Sequence, residues 1–425
     1  MNDRSPTAST WLLRLGLVLV GLELGSLVAS AFSSGVAWYS AAQARRDQLV
    51  SSPTAGLDPA ERIHTRLAGE PLHPYVGFVN DPALNTPENV EVWRGLAINE
   101  YGFPGPLMVE PSDDRLVVAM TGGSVAFFFS ILARDDLIDA IRRVPEHADK
   151  EIVFVALNLQ GHKQPQQLFA LQYALVAGAH FDWVLNLDGF NEVALPAVEN
   201  RVNGTAALFP RRWHMRVAGR LDPVVSEAAA TVAYLERLRV ERAEDFSGAL
   251  RFSLTANFLW SLLDLSYARR IGELEEAAST RSADAGSFAA RGPLREFADD
   301  AAFYGYAAEI WQRSSLQMHR LCEANGIRYV HFLQPNQYVP DSKPMEAVER
   351  ARAVSEESRF RDPVLTGYPL LRSRGAELLA AGVEFHDLTQ VFASVQEPLY
   401  IDNCCHFNEV GNELLAATMA ALLAE

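Results

Sequence analysis

Between about residues 116 and 385 the hydrophobic and polar positions alternate between short apolar runs and longer amphipathic stretches. Turn residues bound the apolar runs, which is typical of strands buried on both faces of a parallel sheet. The predicted strands are Leu116–Met120, Ile152–Leu157, Trp183–Leu187, Tyr329–Leu333 and Val383–Phe385. The predicted helices are Asp135–Arg143, Pro165–Ala177, a long region before Tyr329, Tyr368–Ala381 and Glu409–Leu423. This alternation predicts an α/β fold of right-handed βαβ units, with helices on both sides of a central parallel sheet.

A long insert, roughly residues 197–310, separates the third and fourth predicted strands. Helical patterning is found in Pro223–Arg242 and Ala249–Ala277. The composition of residues 278–294 is that of a mobile loop. Connections of this length are usually functional lids or partner surfaces, and a helical elaboration that only adds core is the equal alternative. A second irregular segment, Gln334–Pro363, follows the fourth strand and is expected to border a site.

The N-terminal stretch Leu15–Tyr39 is almost wholly apolar or small and is interrupted only by Glu23. Its length predicts a single transmembrane helix, with the bulk of the chain outside the cytoplasm. A cleaved secretory signal, with small residues at Val28–Ala31, and a buried soluble helix are the alternatives. The predicted organisation is a membrane anchor or signal segment, a linker and one main domain, over 1–40, 41–72 and 73–425.

Composition narrows the function classes. The 425 residues are 49% hydrophobic, so the chain can bury a large core. The formal charge is −16 and no basic patch stands out, which argues against a nucleic-acid partner. The three cysteines, Cys322, Cys404 and Cys405, include no CxxC pair, which argues against a disulfide scaffold and a structural zinc site. No metal-ligand spacing or phosphate loop is found, so no cofactor is expected.

The first predicted strand ends in Thr121-Gly122-Gly123-Ser124. Two glycines allow a sharp exit from a strand, and the Ser124 hydroxyl would then stand where open α/β sheets build their sites. The alternative is an ordinary strand-to-helix loop with Ser124 as N-cap.

A nucleophilic serine requires a base and oxyanion donors, and later stretches offer both. Gly161 follows the second strand and could present its backbone N–H, and Asn191 follows the third and could present its side-chain amide. Near the C-terminus, Asp402 precedes His406 at the start of the last helix, so one short segment could supply the base and its orienting acid.

This ordered set resembles the SGNH/GDSL hydrolase superfamily, in a bacterial, membrane-anchored form. The resemblance covers about residues 73–196 and 325–420. It implies a three-layer α/β/α fold around a parallel sheet of about five strands. It also implies that Ser124 is the nucleophile, that His406 is the base with Asp402 as its acid, and that Gly161 and Asn191 join the Ser124 amide in the oxyanion hole.

The chain departs from the family pattern in three ways. The usual Gly-Asp-Ser is Gly-Gly-Ser124, and the usual Gly-x-Asn-Asp ends in Glu192. The acid usually lies three residues before the histidine, where this chain has Asn403, whereas Asp402 lies four before. Asp402 is therefore the first candidate for the acid and Asp387, after the fifth strand, the second.

Three functions fit these residues. The first is a serine esterase that removes a small acyl group, such as acetyl, from an envelope or extracellular glycan or lipid. The second is an acyltransferase with the same triad, in which a sugar hydroxyl replaces water. The third is a non-catalytic envelope-assembly protein that keeps the fold. His162, His331 and His386 are expected to be structural, and Phe127–Phe129 core or pocket wall.

Overall fold

The computed structural model describes residues 8–32, 39–50, 71–221, 223–284 and 288–424. The strands are β1 (Leu72–His73), β2 (Gly77–Phe78), β3 (Arg115–Gly122), β4 (Glu151–Asn158), β5 (Trp183–Asp188), β6 (Arg328–Leu333) and β7 (Glu384–Asp387). The helices are α1 (Ala8–Phe32), α2 (Tyr39–Val50), α3 (Pro87–Val92), α4 (Ser124–Leu132), α5 (Arg134–Arg142), α6 (Gln166–Ala177), α7 (Phe190–Leu195), α8 (Trp213–Leu221), α9 (Pro223–Asp245), α10 (Leu254–Asp284), α11 (Phe288–Arg291), α12 (Asp300–Ala324), α13 (Ala347–Ala353), α14 (Arg361–Ala380) and α15 (Glu409–Leu423).

Strands β3 to β7 form one parallel sheet in the order β4-β3-β5-β6-β7, so the predicted α/β class and five-stranded parallel sheet are confirmed. All five predicted strands lie within one or two residues of their observed bounds. In β3 every residue from Leu116 to Gly122 is buried, as expected of a central strand covered on both faces. The chain reverses direction across the sheet between β3 and β5, which is the topological switch point where such sheets bind ligands.

The helices around this sheet pack in two groups. Helix α4 packs on β3, β4 and β5 and is joined by α5 and α15, whereas α6, α7, α12 and α14 pack on one another. In the second group α6 contacts β3 and β4, α12 contacts β6, and α14 contacts β7. One continuous core of buried aliphatic and aromatic side chains runs through the strands and both helix groups. The helices that contact the sheet bury its apolar side chains, and this packing holds the strand ends in place.

The described residues form two compact units. One unit holds the sheet and comprises the described residues within 68–217 and 286–425, and the other comprises the described residues within 1–67 and 218–285. Inside the second unit the buried Asp264 carboxylate accepts two arginine side chains, from Arg45 at 2.7 Å and Arg239 at 2.6 Å. These ion pairs link three helices of the unit, α2, α9 and α10. Residues 51–70 of the predicted linker lie outside the described residues, and residues 39–50 form α2.

The structure does not support the predicted transmembrane helix. Among the residues it describes, no helix is both long and apolar enough to cross a membrane. Residues 33–38 of the predicted span lie outside the described residues. In the middle of that span, the Glu23 carboxylate accepts hydrogen bonds from the Ser253 hydroxyl, at 2.5 Å, and from the Leu254 N–H, at 2.6 Å. This carboxylate therefore satisfies the first backbone donors of α10.

The insert is more helical than its composition indicates. The predicted helices Pro223–Arg242 and Ala249–Ala277 are observed as α9 and α10 with shifted ends. The predicted loop 278–294 is wrong in its first part, because α10 continues to Asp284. Alanine and arginine favour helix and outweigh the serines there. Residues 285–287 lie outside the described residues, and Phe288–Arg291 forms the short α11.

Candidate active site

Three predicted site residues follow three adjacent strands. Gly122 at the end of β3 is paired with Asn158 of β4 on one side and Leu187 of β5 on the other. The three strands therefore end at the same level, and Ser124, Gly161 and Asn191 follow them within a few residues. Because β3 and β5 flank the switch point, this edge of the sheet is where a ligand crevice is expected.

Both glycines before Ser124 are required by close packing. A Cβ on Gly122 would lie 2.3 Å from the Leu187 carbonyl oxygen, and one on Gly123 would lie 2.1 Å from Asn191 Nδ2. The Asn191 side chain thus occupies the space beside residue 123, so no side chain fits at that position. Ser124 is the first residue of α4, so its backbone N–H points out of the positive end of a nine-residue helix.

The side chains of Ser124, His406 and Asp402 form one chain of hydrogen bonds. His406 Nε2 lies 2.8 Å from Ser124 Oγ, and His406 Nδ1 lies 2.5 Å from Asp402 Oδ2. When the proton of the neutral ring is on Nδ1, that N–H donates a hydrogen bond to Asp402, and Nε2 can accept one from the serine hydroxyl. This is the tautomer that a general base needs. The imidazole is 19% exposed and packs edge-on against Phe128, with ring centroids 5.1 Å apart. Phe128 is therefore a wall of the site, as the sequence predicts.

The fold of the 400–407 loop explains how an acid four residues before the histidine reaches it. Tyr400 and Phe407 form an antiparallel bridge, and the Ile401 N–H donates to the His406 carbonyl. Asp402 Oδ1 accepts the backbone N–H groups of Cys404, Cys405 and His406 at 2.9, 3.1 and 3.3 Å. The loop thus curls around the carboxylate and brings the imidazole onto its second oxygen.

The electrostatics of this loop keep the acid ionised. Burial alone would raise the pKa of Asp402, but the hydrogen bond and charge of His406, with the backbone donors of Cys404 and His406, lower it below the usual aspartate value. An ionised Asp402 stabilises a positive charge on His406, which is what the ring acquires when it takes a proton from serine.

Asp387, the second candidate for the acid, is engaged elsewhere. Its Oδ2 accepts Arg372 Nε at 2.6 Å, and its Oδ1 accepts the Thr389 N–H at 2.9 Å. The structure therefore places Asp402, and not Asp387, beside the imidazole.

The two predicted oxyanion donors lie next to the serine turn. Asn191 is buried, and its Nδ2 donates one hydrogen to the His162 carbonyl at 2.7 Å while it lies against Gly123. The carboxylate of Glu192 accepts the N–H of Gly189 at 2.8 Å, and this cap fixes the first turn of α7 that carries Asn191. Gly161 adopts a φ of +79°, which favours glycine, and the Arg211 side chain covers the place of its missing Cβ.

A second serine, histidine and aspartate set is present but is closed to substrate. His331 lies 2.8 Å from both Ser315 Oγ and Asp188 Oδ1, and all three side chains are buried. A nucleophile must meet solvent and substrate, so burial excludes this set and leaves the half-buried Ser124. His331 is thus structural, as predicted. His162 is also structural: its Nε2 lies 3.0 Å from the Phe78 carbonyl, and burial lowers its pKa to about 3.

The described residues contain one cluster of potential metal ligands. The Cys404, Cys405 and His406 ligand atoms lie within 4.8 Å of one another. Both ring nitrogens of His406, however, already bond Asp402 and Ser124, so the geometry supports a proton relay better than a metal site. Burial, together with Cys404 and Asp402, raises the pKa of the Cys405 thiol well above its usual value, which keeps it protonated.

The segment after β6 holds the acid loop in place. Asn336 and Gln337 donate their side-chain amides to the carbonyls of Cys404 and Asp402, each at 3.0 Å, and the Tyr338 hydroxyl donates to the Asn403 carbonyl at 3.0 Å. The predicted irregular segment Gln334–Pro363 does border the site, although part of it forms α13.

A buried ion pair that the sequence does not predict anchors the start of the same loop. Lys343 Nζ lies 3.1 Å from Glu349 Oε2, and neither side chain is exposed. Glu349 Oε1 accepts the N–H groups of Leu399 and Tyr400 at 2.7 and 2.8 Å. The sequence offers no local signal for this pair, because charged residues on a loop and a short helix are normally solvated.

Replacing Glu349 with glutamine is expected to lower the free energy of unfolding by about 3 kcal/mol, because the Lys343 charge stays buried without its counter-ion. Urea unfolding of both proteins measures this. Glu309→Gln is the control, since Glu309 pairs with an exposed arginine on one helix and should contribute at most about 1 kcal/mol. Equal losses in the two variants would contradict the anchoring role.

No protein-family model matches this chain. No curated protein gives a significant match. The geometry of the site is therefore the basis of the functional proposal.

Proposed function

We propose that this protein is a serine esterase of the SGNH type that removes a small acyl group, such as acetyl, from an ester. The observation that carries the proposal is the hydrogen-bonded chain from Ser124 through His406 to Asp402, half open to solvent at the switch point of the sheet. The two groups of helices packed on the sheet, which correspond to a three-layer α/β/α arrangement, also support the family resemblance.

In the proposed first step, Ser124 Oγ attacks the ester carbonyl while His406 Nε2 takes the hydroxyl proton. The negative charge that develops on the carbonyl oxygen is stabilised by the N–H groups of Ser124 and Gly161 and by the remaining amide hydrogen of Asn191. The ionised Asp402 stabilises the imidazolium that has formed. His406 then gives its proton to the leaving alcohol, the C–O bond breaks, and an acyl-serine remains.

In the second step a water molecule attacks the acyl-serine. His406 takes the proton of that water and returns it to Ser124 Oγ, which releases the carboxylic acid and restores the enzyme. A sugar hydroxyl at the same position would take the acyl group instead, so product analysis separates hydrolysis from transfer.

The direct test is covalent labelling of the whole chain with a fluorophosphonate, which reacts with activated serines. We expect one label, on the peptide that contains Ser124, and none on the peptide that contains Ser315. Labelling that survives in the His406→Ala variant at the wild-type rate, or no labelling at all, would overturn the proposal. The same preparation is then assayed for acetate release from 4-nitrophenyl acetate.

A further inference from the structure

Three arginines converge on one glutamate beside the candidate active site. Arg211 makes a two-pronged ion pair with Glu199, with Nε to Oε2 at 3.0 Å and Nη2 to Oε1 at 2.6 Å. Arg212 Nε and Arg359 Nη2 approach Oε1 of the same carboxylate at 3.8 and 3.9 Å. Glu199 itself is almost fully buried on the helical turn Pro196–Arg201 that follows α7. We call these four residues the arginine cluster.

The arginine cluster borders the site from its oxyanion side. The Arg211 side chain packs on Gly161, since a Cβ there would lie 2.2 Å from Arg211 Cδ and 2.7 Å from its Nη1. His162, the residue after Gly161, contacts the turn that carries Ser124. Its carbonyl oxygen accepts a hydrogen bond from the Asn191 amide and would lie 3.1 Å from a Cβ on Gly123.

The cluster also borders the site from its acid side. The Ser358 hydroxyl, next to Arg359, donates to the Asn403 carbonyl at 3.3 Å. Asn403 is the neighbour of Asp402 in the loop that carries the triad acid and base. The cluster is thus connected to the acid loop through Ser358 and to the oxyanion side of the site through the contact of Arg211 with Gly161.

The charges of the cluster do not balance. In the part of the chain that the structure describes, Arg211, Arg212 and Arg359 all form their ion pairs with Glu199 and with no other carboxylate. One negative charge thus faces three positive ones, in a protein whose formal charge is −16. Arg211 is 23% exposed and bonded to both carboxylate oxygens, whereas Arg212 and Arg359 are 45% and 57% exposed and stand beyond hydrogen-bond distance.

The backbone conformation of Arg212 in this cluster is unfavourable. Arg212 has a φ of +52°, a left-handed conformation that residues with a Cβ rarely adopt. Such conformations persist where the surrounding structure requires them, and they concentrate at binding sites. The Arg359 guanidinium is held over the Phe360 ring at 4.8 Å, which limits its freedom before any ligand binds.

We propose that Arg212 and Arg359 bind an anionic group of the substrate, so that the enzyme prefers esters whose acyl or alcohol part carries a carboxylate or a similar oxyanion. This inference rests on the proposed function, because it names the substrate class of the same site. Arg211 neutralises Glu199, and the two outer guanidinium groups offer their planar donors to the ligand.

The test compares matched charged and neutral esters with the full chain. For the acyl side, the pair is the 4-nitrophenyl ester of succinic acid and its methyl-capped neutral form. For the alcohol side, the pair is an acetylated methyl galacturonoside and the acetylated methyl galactoside. We expect the wild-type kcat/KM to favour the anionic member of at least one pair by about tenfold to a hundredfold, the range of a charge-assisted contact. The pair that shows the preference identifies the part of the substrate that carries the charge.

The double variant Arg212→Gln/Arg359→Gln is expected to lose that preference, so that the ratio of kcat/KM between the anionic and the neutral member of the pair falls to about one. The control double variant Arg313→Gln/Arg372→Gln removes the same charge from two exposed ion pairs elsewhere and should keep the preference. A variant that has failed to fold would also lose its activity on the neutral esters, and this separates misfolding from loss of the anion contact.

Calorimetric binding of the same four compounds to the Ser124→Ala protein gives a readout that does not depend on turnover. Equal affinity for the charged and neutral members in both pairs would overturn the inference and leave the proposed function intact. Failure of the fluorophosphonate to label Ser124 would overturn the proposed function. The calorimetric result would still show whether Arg212 and Arg359 bind an anionic group.

Discussion

Replacing Ser124 with alanine is expected to lower kcat for 4-nitrophenyl acetate hydrolysis by roughly 10⁴- to 10⁶-fold, the loss seen when the nucleophile of a serine enzyme is removed. The Ser124 hydroxyl is the only protein group in the proposed mechanism that forms a bond to the acyl carbon. The fold should persist, because the side chain is small and half-buried and its hydrogen bond is made to a partly exposed histidine. Initial rates and thermal unfolding of the two proteins measure both effects.

The chain provides a matched control in Ser315, which hydrogen-bonds a histidine at the same distance of 2.8 Å but is fully buried. Ser315→Ala is expected to reduce stability by about 1–3 kcal/mol, because it leaves the buried His331 ring and Tyr329 hydroxyl without their Ser315 partner, and to leave kcat within about threefold of the wild-type value. If Ser315→Ala abolished activity and Ser124→Ala did not, the assignment of the nucleophile would be wrong.

Replacing Asp402 with asparagine is expected to lower kcat by roughly 10⁴-fold, as the same change does in the Ser-His-Asp triad of serine proteases. Asparagine still accepts the backbone N–H groups of residues 404 to 406 through its side-chain oxygen, so the loop should keep its shape. It carries no charge, however, and its amide can hold the imidazole in the wrong tautomer. The loss should therefore fall on kcat, with KM nearly unchanged.

Asp387→Asn is the control for the acid. Asp387 pairs with Arg372, which is 51% exposed, so this change should cost at most about 1 kcal/mol of stability and about twofold in kcat. Steady-state kinetics of both variants at one pH are sufficient. A larger loss of kcat in Asp387→Asn than in Asp402→Asn would reassign the acid and would mean that the 400–407 loop changes shape on substrate binding.

The sheet could be predicted from the sequence because its signal is local. Five apolar runs with turn residues at their ends mark the strands, and the three central ones, β3, β5 and β6, are buried on both faces. The last helix was predicted at its observed bounds, Glu409–Leu423, for the same reason. The N-terminal stretch was harder to predict, because length and apolar character alone do not separate a membrane helix from a helix that packs on protein.

The candidate site was predicted in part. Ser124, Gly161, Asn191 and His406 follow from strand ends and motif order, and the structure brings their segments together. The arginine cluster is not predicted, since Arg359 is remote in sequence from the other three residues and nothing in residues 199–212 shows that Glu199 and the arginines meet. The predicted location outside the cytoplasm and the acyl substrate stay predictions.

The sequence by itself determined the α/β class, the strand that delivers Ser124 and the two glycines that let the chain turn there. These depend on side-chain periodicity and on backbone freedom, which are properties of short segments. Only the tertiary structure decided which of two aspartates faces His406, which of two serine–histidine pairs is open to solvent, and which arginines share one carboxylate. Those choices depend on distances and burial between segments remote in sequence, because a hydrogen bond or an ion pair forms only where the fold brings both partners together.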